Sequence, residues 1–328
     1  MRDVINVKDL KKTYKTHLRK EGFFSAVKSL IKREYKLKHA LQGISFNIKE
    51  GEIVGFIGPN GAGKSTTIKA LSGVLFPTSG IINTLGFVPW KDRIDYVKNI
   101  GVVFGQKPQL HWDLPPLDTY ALNKVVYDIP ENEYKKKLNY MIKLLEVEEI
   151  VRTPVRDLSL GERMKCKLIS SLLHNPRLVF LDEPSIGLDV IAKDKMRDFI
   201  LDINKKQKTT FIITTHDMSD IERLCKRIII INHGLIVYDG PIEKIKKEYL
   251  NHKHLDIKFN KWNQKFVLKG CKVIFKDEYE LKLELDTKKQ TIKKVISFLI
   301  STFDVADIIV QDPPIEEIIQ KIYKEKIK

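Results

Sequence analysis

The stretch Gly58-Pro59-Asn60-Gly61-Ala62-Gly63-Lys64-Ser65-Thr66 decides how this chain is built. An apolar run at 53–57 precedes it and predicts a buried strand, and residues 65–71 after it predict a helix. Glycines in such a strand–loop–helix turn let backbone N–H groups approach phosphate oxygens, and the helix N-terminus adds partial positive charge. Lys64 is placed to neutralise the β- and γ-phosphates, and the Ser65 hydroxyl to coordinate Mg²⁺. The nine residues therefore predict a Walker A loop that binds the phosphates of a nucleotide.

Composition places the chain among folded proteins rather than disordered ones. Its 328 residues are 43% hydrophobic and 30% charged, enough for one large domain and a smaller second one. No apolar run approaches the roughly 20 residues that span a bilayer, and the first residues lack a signal-peptide pattern. Three isolated cysteines without metal-ligand spacing, Cys166, Cys225 and Cys271, favour a reducing cytoplasm. The net charge of +16 suggests an anionic partner, either nucleic acid or a membrane surface, and does not choose between them.

Strand and helix signals alternate from residue 40 onward, which predicts a parallel sheet covered by helices, with antiparallel strands at the N-terminus. Strands are expected near 44–48, 53–57, 100–104, 177–181, 210–214 and 227–232, and helices near 64–72, 131–146, 161–174, 190–206 and 217–225. Residues 107–175 predict an inserted helical subdomain. Gly240-Pro241 marks a boundary between a nucleotide-binding domain, 1–240, and a small α+β domain, 241–328. In the small domain we expect strands at 254–259, 265–275, 279–285 and 306–310, and helices at 287–303 and 315–323.

A second motif supplies two carboxylates. The apolar strand 178–181 ends in Asp182 and Glu183. Asp182, at the strand tip, is placed to hold Mg²⁺ as a Walker B aspartate does, and Glu183 to polarise a water molecule for attack on the γ-phosphate. Together with the Walker A loop, these residues predict nucleotide hydrolysis.

Further motifs lie in a recognisable order along the chain. Leu158-Ser159-Leu160-Gly161-Glu162 precedes a predicted helix, and 182–189 continues the carboxylate motif into Ile186-Gly187-Leu188-Asp189. Gln106 and His216 each follow a predicted strand, and Tyr14 lies near the N-terminus. With these motifs the chain resembles the nucleotide-binding subunit of an ABC transporter, over residues 2 to about 245. The resemblance implies a P-loop NTPase fold, an ATPase activity, and the cofactors ATP and Mg²⁺.

The resemblance also implies a role for each matched residue. Tyr14 would stack on adenine, and Ser159, Gly161 and Glu162 would face the γ-phosphate held by a second copy. Gln106 would reach Mg²⁺ or the attacking water, His216 would bind the γ-phosphate and orient Glu183, and Asp189 would bridge the two copies. Two departures stand out, because Leu160 replaces a glycine and Glu162 replaces a glutamine of the family's signature. The Glu162 carboxylate is expected to weaken ATP binding by repulsion unless Arg163 or Lys165 pairs with it.

An insertion at 15–39 separates Tyr14 from the next strand. A predicted basic amphipathic helix carries Phe23, Phe24, Val27, Leu30, Ile31 and Tyr35 on one face, and Arg19, Lys20, Lys28, Lys32, Arg33, Lys36 and Lys38 on the other. Such a helix either docks on an anionic membrane surface or membrane partner, or packs on its own domain with a solvated basic face. The chain also resembles a subgroup of ABC ATPases in the type 2 exporter class. This narrower resemblance is carried by the insertion, by Leu-Ser-Leu-Gly at 158–161 and by Ile-Gly-Leu-Asp at 186–189.

These observations predict an ATP-hydrolysing motor subunit of an ABC transporter, expected to be an exporter. It would lie at the cytoplasmic face of the membrane and drive separate transmembrane permease subunits. A homodimer is the simplest assembly, and a heterodimer with a related ATPase is the alternative. A soluble ABC ATPase acting on ribosomes or nucleic acid is the competing hypothesis, but the chain has neither paired ATPase domains nor a long coiled-coil insertion, so we expect no nucleic-acid partner. A regulatory module without turnover is disfavoured by Glu183 and His216.

Overall fold

The computed structural model describes residues 2–17, 35–105, 107–249, 252–260 and 268–325. The chain divides into two compact units, Met1–Gly240 and Pro241–Lys328. The predicted α/β fold, with a parallel sheet, helices and N-terminal antiparallel strands, is confirmed in the first unit.

An antiparallel sheet begins the first unit. Its strands are β1 (Asp3–His17), β2 (Tyr35–Lys49) and β4 (Ser79–Thr84), in the order β2-β1-β4. From Ile44 onward, alternate residues of β2 point into the core because successive side chains of a strand face opposite sides, and Ile44, Phe46 and Ile48 are buried.

The central sheet has six strands. They are β3 (Ile53–Ile57), β5 (Ile100–Phe104), β6 (Leu178–Asp182), β7 (Thr210–Thr214), β8 (Arg227–Asn232) and β9 (Leu235–Pro241), in the order β5-β6-β7-β3-β8-β9. The pairs among β5, β6, β7, β3 and β8 are parallel. Their apolar runs are short and almost fully buried, as expected for strands covered on both faces. Parallel pairing brings the carboxyl ends of β3, β5, β6 and β7 to one edge.

Helices cover this sheet. They are α1 (Lys64–Leu71), α2 (Arg93–Val97), α3 (Pro116–Val126), α4 (Glu131–Leu145), α5 (Leu160–Leu172), α6 (Val190–Gln207) and α7 (Met218–Leu224). Helices α3, α4 and α5, with 3-10 turns at Ile150–Arg152 and Val155–Asp157, lie between β5 and β6 in the chain, where the helical subdomain is predicted. Among the helices of the described residues, none has both the length and the apolar composition to cross a bilayer.

The second unit is a small α+β fold. It contains α8 (Ile242–Tyr249), β10 (His252–Phe259), β11 (Cys271–Lys276), β12 (Glu280–Asp286), α9 (Ile292–Thr302), β13 (Val305–Gln311) and α10 (Ile315–Glu325). The four strands form an antiparallel sheet in the order β11-β12-β10-β13. Leu255 and Ile257 of β10 and Leu283 of β12 pack in one core with Val295 and Leu299 of α9.

Two element predictions in the second unit need correction. The helix expected at 287–303 begins only at Ile292, since the Asp286 carbonyl accepts the N–H groups of Lys289 and Gln290 in a turn and Thr291 caps the helix. The strand expected at 265–275 begins at Cys271, after a turn at Gly270, whose φ of 86° favours glycine. Residues 265–267 of that prediction lie outside the described part of the chain.

The ends of the insertion are extended rather than helical. Residues 13–17 of β1 pair with 35–39 of β2 in an antiparallel arm, with His17 opposite Tyr35 and Lys15 opposite Leu37. The prediction that Tyr35, Lys36 and Lys38 belong to an amphipathic helix is therefore wrong, because the strand ladder takes their backbone groups. The remaining residues of that helix, 18–34, lie outside the described residues.

Candidate nucleotide-binding site

The Walker A loop, 58–63, lies between the end of β3 and the start of α1, at the carboxyl edge of the sheet. Gly63 is the N-cap of α1 with a φ of 116°, and a Cβ there would lie 2.8 Å from the Ala40 carbonyl oxygen. Only glycine accepts this conformation and this close approach without strain. The turn leaves the first N–H groups of α1 free of helical partners and facing the loop, where an anion can bind them.

Lys64 is the first residue of α1 and is buried, with 6% of its surface exposed. Its ammonium donates hydrogen bonds to the carbonyl oxygens of Gly58, at 2.6 Å, and Pro59, at 3.2 Å. Burial lowers the pKa of Lys64, and the carboxylates of Glu183 and Asp182 partly oppose that effect. The loop thus holds a cation among carboxylates, at the place where phosphates are predicted.

An oxygen-rich cluster lies beside the loop. The Ser65 hydroxyl is 3.4 Å from Oδ1 of Asp182, and the Thr214 hydroxyl donates to the same oxygen at 2.5 Å. Parallel pairing of β6 with β7 places Asp182 opposite Thr214. Carboxylate and hydroxyl oxygens suit Mg²⁺, which keeps several waters and phosphate oxygens in its shell, so Ser65 and Asp182 fit the predicted ion. Sequence reasoning missed Thr214, whose only signal is its position at a strand end.

The structure brings Glu183 and His216 together. Nε2 of His216 lies 3.0 Å from Oε1 of Glu183. Glu183 has a φ of 57°, a left-handed conformation that is uncommon for residues other than glycine and costs about 1–3 kcal/mol. Its N–H donates to the Thr214 carbonyl oxygen at 2.9 Å, which holds the residue in this conformation. The pair therefore forms a fixed carboxylate–imidazole unit at the edge of the sheet.

Ser159 begins the signature helix α5 with a capping box. The Ser159 hydroxyl accepts the N–H of Glu162 at 3.2 Å, and the Glu162 carboxylate accepts the N–H of Ser159 at 2.8 Å. Hydrogen bonds from Ser159 hold the pKa of Glu162 below its usual range. Within the described residues neither Arg163 nor Lys165 forms an ion pair with Glu162, and Arg163 lies over the Trp112 ring. The carboxylate is therefore held by the helix end itself.

Leu160 has a partner that explains its presence in the signature. Gly187 has a φ of 74°, and a Cβ there would lie 2.3 Å from Cδ2 of Leu160. A Cβ at Gly161 would lie 3.2 Å from Cδ2 of Leu188. The start of α5 thus packs directly on the loop 186–189, and a leucine at 160 requires a glycine at 187.

Gln106 lies outside the described residues, but its two neighbours are held by a residue that sequence reasoning missed. Lys167 of α5 is 6% exposed and donates to the carbonyl oxygens of Gly105, at 2.9 Å, and Lys107, at 2.8 Å. Its signal in the sequence is a lysine on the buried face of α5, between Met164 and Leu168. Lys167 joins the signature helix to the loop that carries Gln106.

Tyr14 and Asp189 occupy the predicted surroundings without showing their predicted contacts. Tyr14 lies on β1 opposite Lys38, two residues from Ala40, whose carbonyl oxygen approaches Gly63. Asp189 caps α6, where its carboxylate accepts the N–H of Ala192 at 2.7 Å. The adenine contact of Tyr14 and the bridging role of Asp189 stay predictions.

Comparisons with known proteins agree with this geometry. The family profile of the ABC transporter matches residues 41–186. The bacitracin transport ATP-binding protein BcrA of Bacillus licheniformis is 31% identical over 71% of this chain and 74% of its own length. The linearmycin resistance ATP-binding protein LnrL of Bacillus subtilis is 27% identical over 88% of this chain and 94% of its own. The methionine import ATP-binding protein MetN of Bacillus subtilis is 30% identical over 66% of each.

A solved structure matches as well. The dimeric, post-hydrolysis ATP-binding cassette MJ0796, bound to ADP and Pi, has a TM-score of 0.60 at 25% identity, over 73% of this chain and 98% of that one. The fold and site define a P-loop ATPase of the cassette type. The chain belongs to the ABC transporter family, as an ATP-binding subunit that hydrolyses ATP.

Proposed function

We propose that this chain is the motor of an ABC exporter, in which two copies close on ATP and drive separate transmembrane permeases. The observation that carries the motor function is the Glu183–His216 pair, 3.0 Å apart, beside Lys64 and Asp182 on one sheet edge. That arrangement combines a base, its orienting partner and a phosphate-binding cation.

Each residue has a chemical task in this proposal. Lys64 and the N–H groups of α1 neutralise the β- and γ-phosphates, and Glu183 accepts a proton from the attacking water. His216 holds the Glu183 carboxylate in place beside the γ-phosphate. Mg²⁺, held by Ser65 and Asp182, would neutralise charge that develops on the phosphate oxygens. Ser159 and the N-terminus of α5 approach the triphosphate from the second copy, so each site needs both protomers.

Export as the direction of transport is supported by relatives. BcrA and LnrL are named for bacitracin transport and linearmycin resistance, whereas MetN is named for import. The first unit ends at residue 240 of 328, about 73% of the chain, so the LnrL match over 88% extends into the second unit. That extended match favours the resistance-type relative over the import relative.

A permease-docking face is proposed where the helical subdomain meets β5. A cavity of about 240 Å³ there is lined by residues that include Val74, Arg93 and Asn123, and contains no carboxylate among its lining residues. Val74 is exposed, as are Ile94 and Val126, which neighbour lining residues in the chain. In this proposal, these exposed apolar side chains contact the permease.

The extended arm, 13–17 with 35–39, is proposed to meet the anionic membrane surface. Its exposed side chains combine the apolar Tyr35 and Leu37 with Lys15, Lys36 and Lys38. Deletion of 16–38 is expected to abolish binding to vesicles that contain anionic lipid while ATP binding continues. Unchanged vesicle binding would contradict this membrane role.

Glu183→Gln tests the motor function. The amide keeps the shape of the side chain but cannot accept the water's proton, so turnover is expected to fall at least about 100-fold. ATP should then hold two copies together, as a dimer measured by light scattering with Mg·ATP. Normal turnover or a persistent monomer would refute the proposal.

Identification of copurifying membrane proteins tests the partner. A permease recovered with the chain from detergent extracts supports the exporter proposal, and transport assays with that permease give the direction. Recovery of ribosomes or RNA alone, abolished by nuclease, would support the competing hypothesis instead.

A further inference from the structure

The loop that carries His216 is tied to α6 by an ion pair. Nζ of Lys193, in the first turn of α6, lies 2.6 Å from Oδ2 of Asp217. Both side chains are 27% exposed, so water screens the pair less than it screens ion pairs on the open surface. Asp217 directly follows His216 in the chain, so the ion pair anchors the backbone next to the histidine.

Asp217 is fixed from its own side as well. Its carboxylate accepts the N–H of Ser219 at 3.0 Å, and its N–H donates to the Thr215 hydroxyl at 3.0 Å. Burial opposes ionisation, but hydrogen bonds from Lys193 and Ser219 outweigh it and hold the pKa of Asp217 at about 2. The carboxylate therefore stays charged and paired at neutral pH.

The other end of the link is Asp189. The Lys193 N–H donates to the Asp189 carbonyl oxygen at 2.9 Å, and the Asp189 carboxylate caps the same turn through Ala192. A cavity of about 250 Å³ is lined by Lys193 and Asp217 together with Gly187, Glu183 and His216. One helical turn thus separates the loop predicted to face a second copy from the catalytic pair.

We propose that Lys193 is a positioning residue, which transmits the placement of Asp189 to His216 and so to Glu183. The inference rests on the proposed function, because Asp189 faces another protomer only in the proposed dimer. Each step is a contact between described residues: Asp189 to Lys193 through the backbone, Lys193 to Asp217 through charge, and His216 to Glu183 through a hydrogen bond. Closure of the dimer would then align the imidazole with the carboxylate.

Lys193→Met tests the link in the full-length protein. We expect kcat to fall about 10- to 100-fold, the cost of a misplaced catalytic group, with KM for ATP changed less than about 2-fold. Lys193→Arg keeps the charge and should restore most of kcat. Asp217→Asn should reproduce the loss, and the double variant should lose no more than either single variant, because both remove one interaction.

Lys195→Met is the matched control. Lys195 also lies on α6 and pairs with a carboxylate, Glu146, but away from the Asp217 loop, so its loss should leave kcat unchanged. The imidazole NMR signals of His216 should shift in Lys193→Met and not in Lys195→Met. General destabilisation of α6 would instead affect the two variants alike. Thermal midpoints of all variants check that the fold persists.

Normal kcat in Lys193→Met, additive losses in the double variant, or a rise in KM without a fall in kcat would overturn the link. If the wild-type chain neither hydrolyses ATP nor dimerises, the proposed function fails first. If the wild type does both and Lys193→Met matches it, only this inference fails.

Discussion

The capping box at Ser159 leads to a quantitative prediction about Glu162. The Glu162 carboxylate accepts the Ser159 N–H at 2.8 Å. In the proposed dimer, Ser159 also faces the γ-phosphate of the partner's ATP. The Glu162 carboxylate and a γ-phosphate oxygen would each lie about 3 Å from an atom of Ser159, which is the length of a hydrogen bond. We therefore take the two negative groups to be about 5 Å apart. Two unit charges at 5 Å repel by about 3 kcal/mol at an effective dielectric constant of 20, and salt reduces this value.

Glu162→Gln removes the charge and keeps an oxygen for the Ser159 N–H. We therefore expect the free energy of ATP-dependent dimerisation to become more favourable by about 1–2 kcal/mol per nucleotide site. This change corresponds to about 5- to 30-fold tighter dimerisation per site. The assay is the concentration dependence of dimerisation by sedimentation with Mg·ATP, in a Glu183→Gln background that blocks turnover. A gain that shrinks at high salt would match its electrostatic origin.

Glu162→Ala provides the control. This change removes the charge but also the reciprocal hydrogen bond, and it costs about 1 kcal/mol of helix stability, so its dimer should be weaker than that of Glu162→Gln. A Glu162→Gln dimer no tighter than the parent would refute the repulsion argument. It would mean that the capped carboxylate does not oppose the triphosphate.

Three further predictions concern the surroundings of the site. Arg197→Met should lower the free energy of unfolding by about 3–5 kcal/mol in urea titrations, because Asp220, 0% exposed, loses the guanidinium that donates to it at 2.7 Å. Asp217→Asn should cost about 1–2 kcal/mol at pH 7. Since the carboxyl pKa is about 2 in the fold and ordinarily 3.8, this stabilisation is complete well above pH 4 and is lost as pH falls through 2, so the difference from wild type should shrink by about half near pH 3. Leu160→Ala should leave ATP binding intact and lower the Hill coefficient of hydrolysis towards 1, because it removes the contact of α5 with Gly187; an unchanged coefficient would contradict this role.

The fold was predictable where sequence pattern and burial coincide. The runs 53–57, 178–181 and 210–214 are apolar and short, so they identify buried parallel strands, and the residues that follow them meet at one edge. The insertion was not predictable in this way. Tyr35 and Lys36 fit a helical face by spacing, but the pairing of 35–39 with 13–17 decided their conformation through backbone hydrogen bonds.

The site was predictable as a set of residue types but not as a set of contacts. The resemblance named Glu183 and His216, and the structure places Oε1 of Glu183 3.0 Å from Nε2 of His216. The carboxylate partner of Ser159 follows from the spacing Ser-x-x-Glu of a capping box, a signal that sequence reasoning overlooked in favour of Arg163 or Lys165. The partners of Lys167 and Lys193 could not be identified, since they lie 62 and 24 residues away and only folding brings them together.

The contacts of α5 and α6 connect two sites within one protomer. In the proposed dimer, Ser159 at the start of α5 would bind the ATP of the second copy, whereas Glu183 would act on the protomer's own ATP. Leu160 lies against Gly187, and Lys193 joins the helix after Asp189 to the His216 loop. Packed interfaces switch between discrete arrangements rather than deform continuously. In the proposed dimer, a shift of Ser159 on one nucleotide would therefore displace the 186–189 loop and, through it, the histidine of the other site. The same contacts that stabilise the fold of one protomer would therefore supply a physical path for cooperation between the two ATP sites of the proposed dimer.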